Sequence, residues 1–320
     1  MRELFRKLVD GVLFIPTVIA LPLLWALGRL RSQSRITRIL TDFANIAVVR
    51  RHYYEPIVFQ RDLKSDLAAE RAISGLKLNP MGQIAFIDSL TFGQELAHSP
   101  MVPRRPNDKA QFYFQNGSFG CGDAEIYYNI IRRFKPARII EVGSGYSSVL
   151  AQQALRKNRE QDAGYTYRHI CIEPFENTWL ESIGAEIERK RVEDCPLSFF
   201  QQLEAGDILF IDSTHMIRPQ GDVLFEILSL IGTLKKGVLI HVHDIFTPRD
   251  YPKRWVLGDR RFWNEQYLLE AYLCFNESFE VVAAVNWLKN NHFDLLCACC
   301  PVLAQEPTAQ PGSFWFQKIR

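Results

Sequence analysis

The stretch that decides the fold is Arg138-Ile-Ile-Glu-Val-Gly-Ser-Gly-Tyr-Ser-Ser148. Its apolar, β-branched beginning predicts a buried strand, and the two glycines that follow predict a tight turn into a helix. Glycine also lets the backbone approach a ligand closely, because no Cβ stands in the way. The residues expected to bind a ligand at this turn are Gly143, Ser144, Gly145, Tyr146 and Ser147.

The same alternation of short apolar strands and helices runs through the rest of the chain from Asp123 onward, which predicts a sheet wound with helices on both faces. The predicted strands are Arg138 to Val142, His169 to Glu173, Ala185 to Val192, Asp207 to Asp212, Val238 to His243, Phe279 to Val285 and Ser313 to Lys318. The predicted helices are Ser147 to Lys157, Asn177 to Ser182, Pro196 to Leu203, Asp222 to Leu234, Trp263 to Cys274 and Trp287 to Cys297.

The composition of the 320 residues is that of an ordinary globular protein, with 47% hydrophobic and 23% charged residues. The formal net charge of +2 is too balanced to indicate a nucleic-acid partner. An odd number of cysteines, seven, argues against a secreted disulfide framework and for a reducing compartment.

The residues around the glycine turn indicate which ligand it binds. A nicotinamide-binding fingerprint has a third glycine where this chain has Ser148. Glu141 precedes the first glycine, and a carboxylate there would repel a pyrophosphate but suit a cationic amino-acid head. S-adenosylmethionine carries an ammonium and a sulfonium and no phosphate, so the sequence predicts this cofactor with Glu141 among its ligands.

Two further acids follow the next two predicted strands. Glu173 ends the second strand, where a carboxylate can accept hydrogen bonds from both ribose hydroxyls of an adenosyl group. Asp194 follows the third strand and is expected either to meet the adenine amino group or to cap the helix that begins after Pro196.

The motifs taken together resemble class I S-adenosylmethionine-dependent methyltransferases, and specifically the bacterial methyltransferase domain 24 type. The resemblance runs from about Tyr113 to the end and implies a doubly wound, mostly parallel seven-stranded sheet with the last strand antiparallel. It rests on Asp123-Ala124 with Tyr127, Lys135-Pro136, Glu141-Val-Gly-Ser-Gly-Tyr-Ser-Ser148, Gly206-Asp-Ile-Leu-Phe-Ile-Asp-Ser-Thr-His215, Gly221-Asp-Val223, Gly237-Val-Leu-Ile-His-Val-His-Asp-Ile-Phe246 and Trp263-Asn-Glu-Gln-Tyr267.

A second group of polar residues follows the fourth and fifth predicted strands, where a methyl acceptor would lie. Asp212, which is also an expected cofactor ligand, and His215 follow the fourth strand, and His243 and Asp244 end the fifth. A hydroxyl acceptor needs its proton removed or its oxygen polarised, so His243 and His215 are candidate bases and Asp244 a further candidate catalytic residue. His241 is expected to be a packed strand residue.

Asp212 and Asp244 also match the positions at which catechol-type and macrolide-sugar O-methyltransferases place metal-binding acids. The resemblance therefore implies Mg²⁺ or another divalent cation between them. Where a catechol-type enzyme has an asparagine, this chain has Ile245, so a ligand is missing unless His215 or His243 supplies it. The alternative is that both acids hydrogen-bond loop backbone.

Residues 11–28 form a run of 18 residues without a charge, close to the roughly 20 that a membrane-spanning helix needs. Pro16 and Pro22 interrupt the run and favour a bent or re-entrant segment. The opening resembles the re-entrant helix of bacterial monotopic phosphoglycosyl transferases, and six arginines against one aspartate between Arg29 and Tyr54 suit an anionic leaflet. A buried helix and a cleaved signal peptide are the alternatives.

The sequence thus predicts a membrane-associated segment at 1–28, a helical extension at 29–110 and a methyltransferase domain at 111–320. Within the extension, the spacing of apolar residues predicts a helix from Gln60 to Ile73. The expected activity is O-methylation of a sugar or glycan hydroxyl at the inner face of the cytoplasmic membrane. The alternatives are O-methylation of a phenol or other small molecule, and a non-catalytic scaffold that binds the cofactor.

Overall fold

The computed structural model describes residues 2–29, 39, 43–44, 46, 48–49, 54–103, 110–175 and 177–320. The chain divides into two compact units, Met1–Leu63 and Lys64–Arg320. The division falls inside the predicted extension 29–110, so residues 64–103 belong to the same unit as the sheet.

The larger unit is built on a seven-stranded sheet with the order β3-β2-β1-β4-β5-β7-β6. Neighbouring strands from β3 to β5 pair in parallel, and β7 pairs antiparallel with both β5 and β6. The strands are β1 Arg138–Val142, β2 Arg168–Ile172, β3 Glu186–Glu188, β4 Ile208–Ile211, β5 Leu239–Val242, β6 Phe279–Ala284 and β7 Phe314–Lys318. The predicted fold class is confirmed, and all seven predicted strands are present, although β3 covers only Glu186–Glu188 of the predicted Ala185 to Val192.

Helices of the larger unit flank this sheet, as the alternating pattern predicts. The smaller unit contains α1 Arg2–Arg29, and the α-helices of the larger unit are α2 Pro80–Asp88, α3 Asp123–Phe134, α4 Tyr146–Gln161, α5 Leu197–Phe200, α6 Asp222–Leu224, α7 Glu265–Leu273, α8 Val285–Asn291, α9 Phe293–Cys299 and α10 Pro301–Gln305. The 3₁₀ turns are Gln60–Asp62, Gly93–Leu96, Thr178–Ser182, Val192–Asp194 and Ile231–Thr233, and the π-helical segments are Phe225–Leu230 and Arg254–Gly258.

The prediction of a helix from Gln60 to Ile73 is wrong. Only the 3₁₀ turn at its beginning is helical, and the backbone beyond it hydrogen-bonds elsewhere. The Asp66 side chain accepts a hydrogen bond from the Ala68 N–H, and the Arg71 N–H donates to the Pro248 carbonyl at 2.9 Å. Local side-chain bonding and a tertiary partner therefore override the helical spacing.

The first helix, α1, lies in the smaller unit and runs without interruption through Pro16 and Pro22. The two prolines therefore do not interrupt the helix, and the predicted bent or re-entrant course of the segment stays a prediction. The alternative of a buried helix is wrong, since Phe14 and Ile19 are 68% and 74% exposed. Among the described residues, no helix combines the length and apolar character that crossing a bilayer requires.

The turn after β1 is held against the end of β4. The Asp212 N–H donates to the Val142 carbonyl at 2.9 Å, and the Gly143 N–H donates to the Ile172 carbonyl at 3.0 Å. Gly143 has a φ of +73°, and a Cβ on it would lie 1.9 Å from the Asp212 carbonyl oxygen. The protein's own backbone therefore requires glycine at position 143. The sequence predicted that the missing side chain makes room for a ligand, and the structure shows that it also makes room for the Asp212 carbonyl.

We predict that Gly143→Ala destabilises the fold, since the methyl group collides with β4 and the positive φ alone costs roughly 1–3 kcal/mol. The matched control is Gly145→Ala, because a Cβ there has the Asn177 side-chain nitrogen as its nearest neighbour, at 3.8 Å. Thermal unfolding should show a midpoint lowered by about 5 °C or more in Gly143→Ala. Equal midpoints in the two variants would contradict the steric argument.

Candidate active site at the carboxyl edge of the sheet

A cavity of about 750 Å³ lies beyond the carboxyl ends of β1, β2 and β4. This is the edge at which ligands bind in open α/β sheets. The predicted turn residues all line it, together with side chains from the loops after β2, β3 and β4. Its lining includes Gly143, Ser144, Gly145, Tyr146, Ser147, Glu173, Phe175, Asn177, Arg191, Val192, Glu193, Asp212, Thr214 and Arg218.

Glu173 is fixed at the rim of this cavity by the backbone. The Ser144 N–H donates to its Oε2 at 3.3 Å and the Phe175 N–H donates to its Oε1 at 3.1 Å. The buried Ser144 hydroxyl has no hydrogen-bond partner among the described residues, although it lines the cavity. A polar ligand is the kind of partner that such a hydroxyl needs.

The structure does not bring Glu141 to the cavity, which contradicts its prediction as a cofactor ligand. Its side chain is fully buried and accepts a hydrogen bond from the Tyr127 hydroxyl at 2.9 Å. Its other carboxylate oxygen lies 3.2 Å from His169 Nε2 and 3.7 Å from Cys171 Sγ. Burial lowers the pKa of His169, but Cys171 and Glu141 more than offset this effect and raise it to about 10.

The period of two along β1 and β2 explains this placement. Glu141 pairs with Cys171 and Ile139 pairs with His169, so Glu141, His169 and Cys171 share one face of the sheet. His169 and Cys171 occupy alternate positions of β2, next to β1. This pattern in the sequence indicates that Glu141 faces the interior with them.

Asp194 takes neither of its two predicted roles. It is exposed and does not line the cavity, whereas Val192 and Glu193 of the same 3₁₀ turn do. The following helix, α5, has Pro196 at its N-cap and receives no side-chain capping bond. Of the two acids in this turn, Glu193 is therefore the one that lines the cavity.

Four of the predicted catalytic and metal-binding residues come together beside the cavity. His215 Nε2 lies 3.3 Å from an Asp212 oxygen and 3.6 Å from an Asp244 oxygen. His243 Nδ1 lies 3.4 Å from Asp212 and 3.7 Å from Asp244. Asp212 is 26% exposed and lines the cavity, while the histidines are buried behind it.

A second layer of carboxylates supports the two histidines. The His215 Nδ1–H donates to Glu265 Oε2 at 2.9 Å, and His243 Nε2 lies 3.6 Å from Asp123 Oδ2. Asp123 and Glu265 belong to motifs that resemble the methyltransferase family, but the sequence alone assigned them no role. Histidines that bind metals commonly have such carboxylate partners on the other ring nitrogen.

The backbone at this cluster is constrained as well. His215 and Asp244 have φ values of +60° and +57°, a region that side-chain-bearing residues rarely adopt. Such residues persist where surrounding contacts hold them, and they concentrate at functional sites. The two residues are held by the β4 and β5 ends on one side and by Glu265 and Gly312 on the other.

The electrostatics of the cluster favour a positive charge between its carboxylates. Although burial opposes ionisation, the neighbouring His243 and His215 hold the pKa of Asp212 well below its usual range. Burial likewise lowers the pKa of His215, but Asp212 and Glu265 more than offset this effect and raise it to about 10. Burial raises the pKa of Asp244, and the two histidines counteract that rise.

His241 is a packed strand residue, as expected. It is fully buried, its Nε2 lies 2.9 Å from the Ser313 hydroxyl, and its ring stacks on Phe210 at a centroid distance of 3.9 Å. Burial lowers its pKa well below the usual value, and the nearby His243 lowers it further. We assign it no part in the chemistry.

Comparison with known proteins agrees with this architecture. Residues 140–245, which contain the glycine turn, Asp212, His215 and His243, match a family model described as a methyltransferase domain. The fold and this match together support a class I methyltransferase domain in the larger unit. The chain is also similar to a protein of Archaeoglobus fulgidus described as an uncharacterized protein, with 28% identity over 168 residues that cover 49% of this chain and 74% of the relative.

Proposed function

We propose that the protein transfers a methyl group from S-adenosylmethionine to a hydroxyl oxygen, with the help of a divalent cation. One observation carries the proposal: Asp212 belongs both to the cavity at the glycine turn and to the cluster of histidines and carboxylates beside it. A cofactor in the cavity and an acceptor at the cluster would thus meet at Asp212.

The cavity suits the chemistry of S-adenosylmethionine. Glu173 presents a carboxylate, oriented by two backbone N–H groups, to the two hydroxyls of a ribose. The ionised Asp212 and the unpartnered Ser144 hydroxyl lie beside the glycine turn and suit a cationic amino-acid head. The sequence assigned to Glu141 the carboxylate that repels a pyrophosphate. In this proposal Asp212 has that role. When bound, the cofactor supplies an electrophilic methyl group on a sulfonium.

Asp212, His215 and Asp244 offer a divalent cation a suitable set of ligands. Each contributes one atom, and the three atoms lie within 4.8 Å of one another. Two carboxylates and one imidazole bind hard or borderline cations such as Mg²⁺ and Mn²⁺. His215 would supply the ligand that Ile245 cannot, and a cation held by these three residues would polarise the acceptor hydroxyl.

The geometry favours this cation over a histidine base. Asp212 reaches the cavity, whereas neither imidazole lines it. His215 is held on both ring nitrogens by carboxylates, so it is placed to ligate rather than to collect a proton from the acceptor. His243 faces Asp212 and Asp244 through Nδ1 and Asp123 through Nε2. Burial lowers its pKa, but Asp244 and Asp212 hold this pKa well above the usual value, so His243 is the alternative base rather than the favoured catalyst.

The proposed acceptor is a sugar or glycan hydroxyl, with a phenol as the alternative. The proposal rests on the resemblance to macrolide-sugar O-methyltransferases at Asp212 and Asp244 and on the exposed apolar helix α1, which would place the site near lipid-linked glycans.

We also propose that α1 attaches the protein to the inner face of the cytoplasmic membrane without crossing it. Its apolar side chains are exposed along the run from Val12 to Trp25, which are 67% and 62% exposed. Basic residues flank the run on both sides and suit anionic lipid headgroups.

We predict that Glu173→Gln weakens S-adenosylmethionine binding by about 10- to 100-fold, because a charged hydrogen-bond acceptor contributes roughly 1.5–3 kcal/mol. The control is Asp194→Asn, which removes an exposed carboxylate outside the cavity and should bind like the parent. Calorimetry measures both affinities. Absence of binding by the parent would refute the methyltransferase assignment, and binding without turnover on any cell extract would support the scaffold.

We predict that EDTA abolishes methyl transfer and that Mg²⁺ or Mn²⁺ restores it. Calorimetric titration with Mn²⁺ should show loss of binding in Asp244→Asn and about 10- to 100-fold weaker binding in Glu265→Gln, because Glu265 orients His215. Asp194→Asn again serves as the control. Activity that survives EDTA, with equal Mn²⁺ affinity in all variants, would eliminate the cation and leave His243 as the remaining catalyst.

We predict that the full-length protein floats with vesicles of phosphatidylglycerol in a density gradient and that deletion of residues 1–28 abolishes flotation while cofactor affinity stays the same. Vesicles of phosphatidylcholine test the role of charge, since the basic flanks add binding only to anionic lipid. Full-length protein that stays at the bottom of both gradients would contradict the attachment.

A further inference from the structure

Arg261 is held in a corner formed by two tryptophans. Its guanidinium carbon lies 4.5 Å from the centre of the Trp255 ring and 4.4 Å from the centre of the Trp263 ring. The two rings meet at 76° with their centroids 5.1 Å apart. Phe246 packs edge-on against Trp255, with 5.3 Å between the ring centroids, and supports this ring of the corner.

This arginine is exposed, yet its side chain forms no ion pair or hydrogen bond with another of the described residues. Arg254, in the same segment, lies 3.6 Å from Asp259. Stacking on aromatic faces occupies the flat surface of a guanidinium and leaves its N–H edge available for a planar, bidentate partner. The two tryptophans thus orient the Arg261 guanidinium, and none of the described residues uses its N–H donors.

The corner is tied rigidly to the cluster of histidines and carboxylates. The Trp263 ring lies 4.3 Å from the His215 ring, measured between centroids. The next residue, Asn264, donates its N–H to the His215 carbonyl at 3.0 Å and accepts the Ile217 N–H at 2.6 Å. One aromatic ring therefore separates the Arg261 guanidinium from a candidate cation ligand.

We propose that Arg261 binds a carboxylate or phosphate group on the methyl acceptor, so that the acceptor class is an anionic sugar or a similarly charged hydroxyl compound. The identification of the bound anion as the methyl acceptor rests on the proposed methyl transfer at Asp212. The anion site itself requires only the corner of Trp255 and Trp263 and can be tested without turnover.

Binding is measured by calorimetry with three probes that share a sugar ring: glucose, glucuronate and glucose 1-phosphate. We expect both anions to bind more tightly than glucose, and Arg261→Gln to lose at least about tenfold in anion affinity. Arg261→Lys keeps the charge but loses the bidentate edge, so we expect it to recover only part of the affinity. The matched control is Arg254→Gln, which removes a neighbouring exposed arginine and should bind the anions like the parent.

Tryptophan emission gives a second readout, because a bound anion lies beside Trp255 and Trp263. We expect the emission to change on adding glucuronate or glucose 1-phosphate, and the change to be smaller in Trp255→Phe, which keeps only Trp263 beside the anion. The preferred anion then separates a uronate from a sugar phosphate. Equal anion affinities for the parent and Arg261→Gln, equal losses in Arg261→Gln and Arg254→Gln, or no anion binding at millimolar concentrations would each overturn the proposal.

The outcome is separable from that of the proposed function. Anion binding that depends on Arg261, in a protein that does not bind S-adenosylmethionine, would keep the anion site and reject methyl transfer. S-adenosylmethionine binding with anion affinity that is insensitive to Arg261 would do the reverse.

Discussion

The close approach of the β1 turn to the end of β4 determines how the site is assembled. Hydrogen bonds from the Asp212 and Gly143 N–H groups hold the turn between β2 and β4, and Gly143 leaves room for the Asp212 carbonyl. The Asp212 side chain consequently projects between the glycine turn and the two histidines. A larger residue at position 143 would separate the cavity from the cluster of histidines and carboxylates.

The carboxylates at this end of the sheet fall into two classes that differ in their surroundings. Glu141 is buried among a tyrosine, a histidine and a cysteine, so its charge is balanced within the core. Asp212 and Glu173 reach the cavity and present their charge to a ligand. Buried carboxylates must be paired, whereas those at a cavity can leave part of their hydrogen-bonding capacity to the ligand.

The sequence was sufficient to predict the sheet, the glycine turn and the meeting of Asp212, His215, His243 and Asp244. These depend on short-range patterns and on the rule that parallel strands end at one edge of a sheet. It was not sufficient for Glu141 and Asp194, because a shift of one position along a strand or turn decides which side a side chain faces. Glu193, one residue before Asp194, lines the cavity instead.

The second layer around the histidines was equally hidden. Asp123 and Glu265 come from helices far from β4 and β5 in sequence, and only the tertiary fold brings them to His243 and His215. The helix predicted from Gln60 failed for a related reason, since the Arg71 N–H finds its partner at Pro248. Local spacing does not reveal contacts between residues that are this distant along the chain.

Charged groups flank the site in two separate regions. The carboxylates of Glu173 and Asp212 line the cavity, and Arg261 lies against Trp263, whose ring contacts His215 of the cluster. Methyl transfer requires the acceptor oxygen, the methyl carbon and the departing sulfur to lie in line, which is most readily ensured when both partners are fixed at two points. A cationic cofactor held by Glu173 and Asp212, and an anionic acceptor held by Arg261 and the cluster, would each be fixed in this way. The opposite charges of the two binding regions would then prevent either compound from occupying the place of the other.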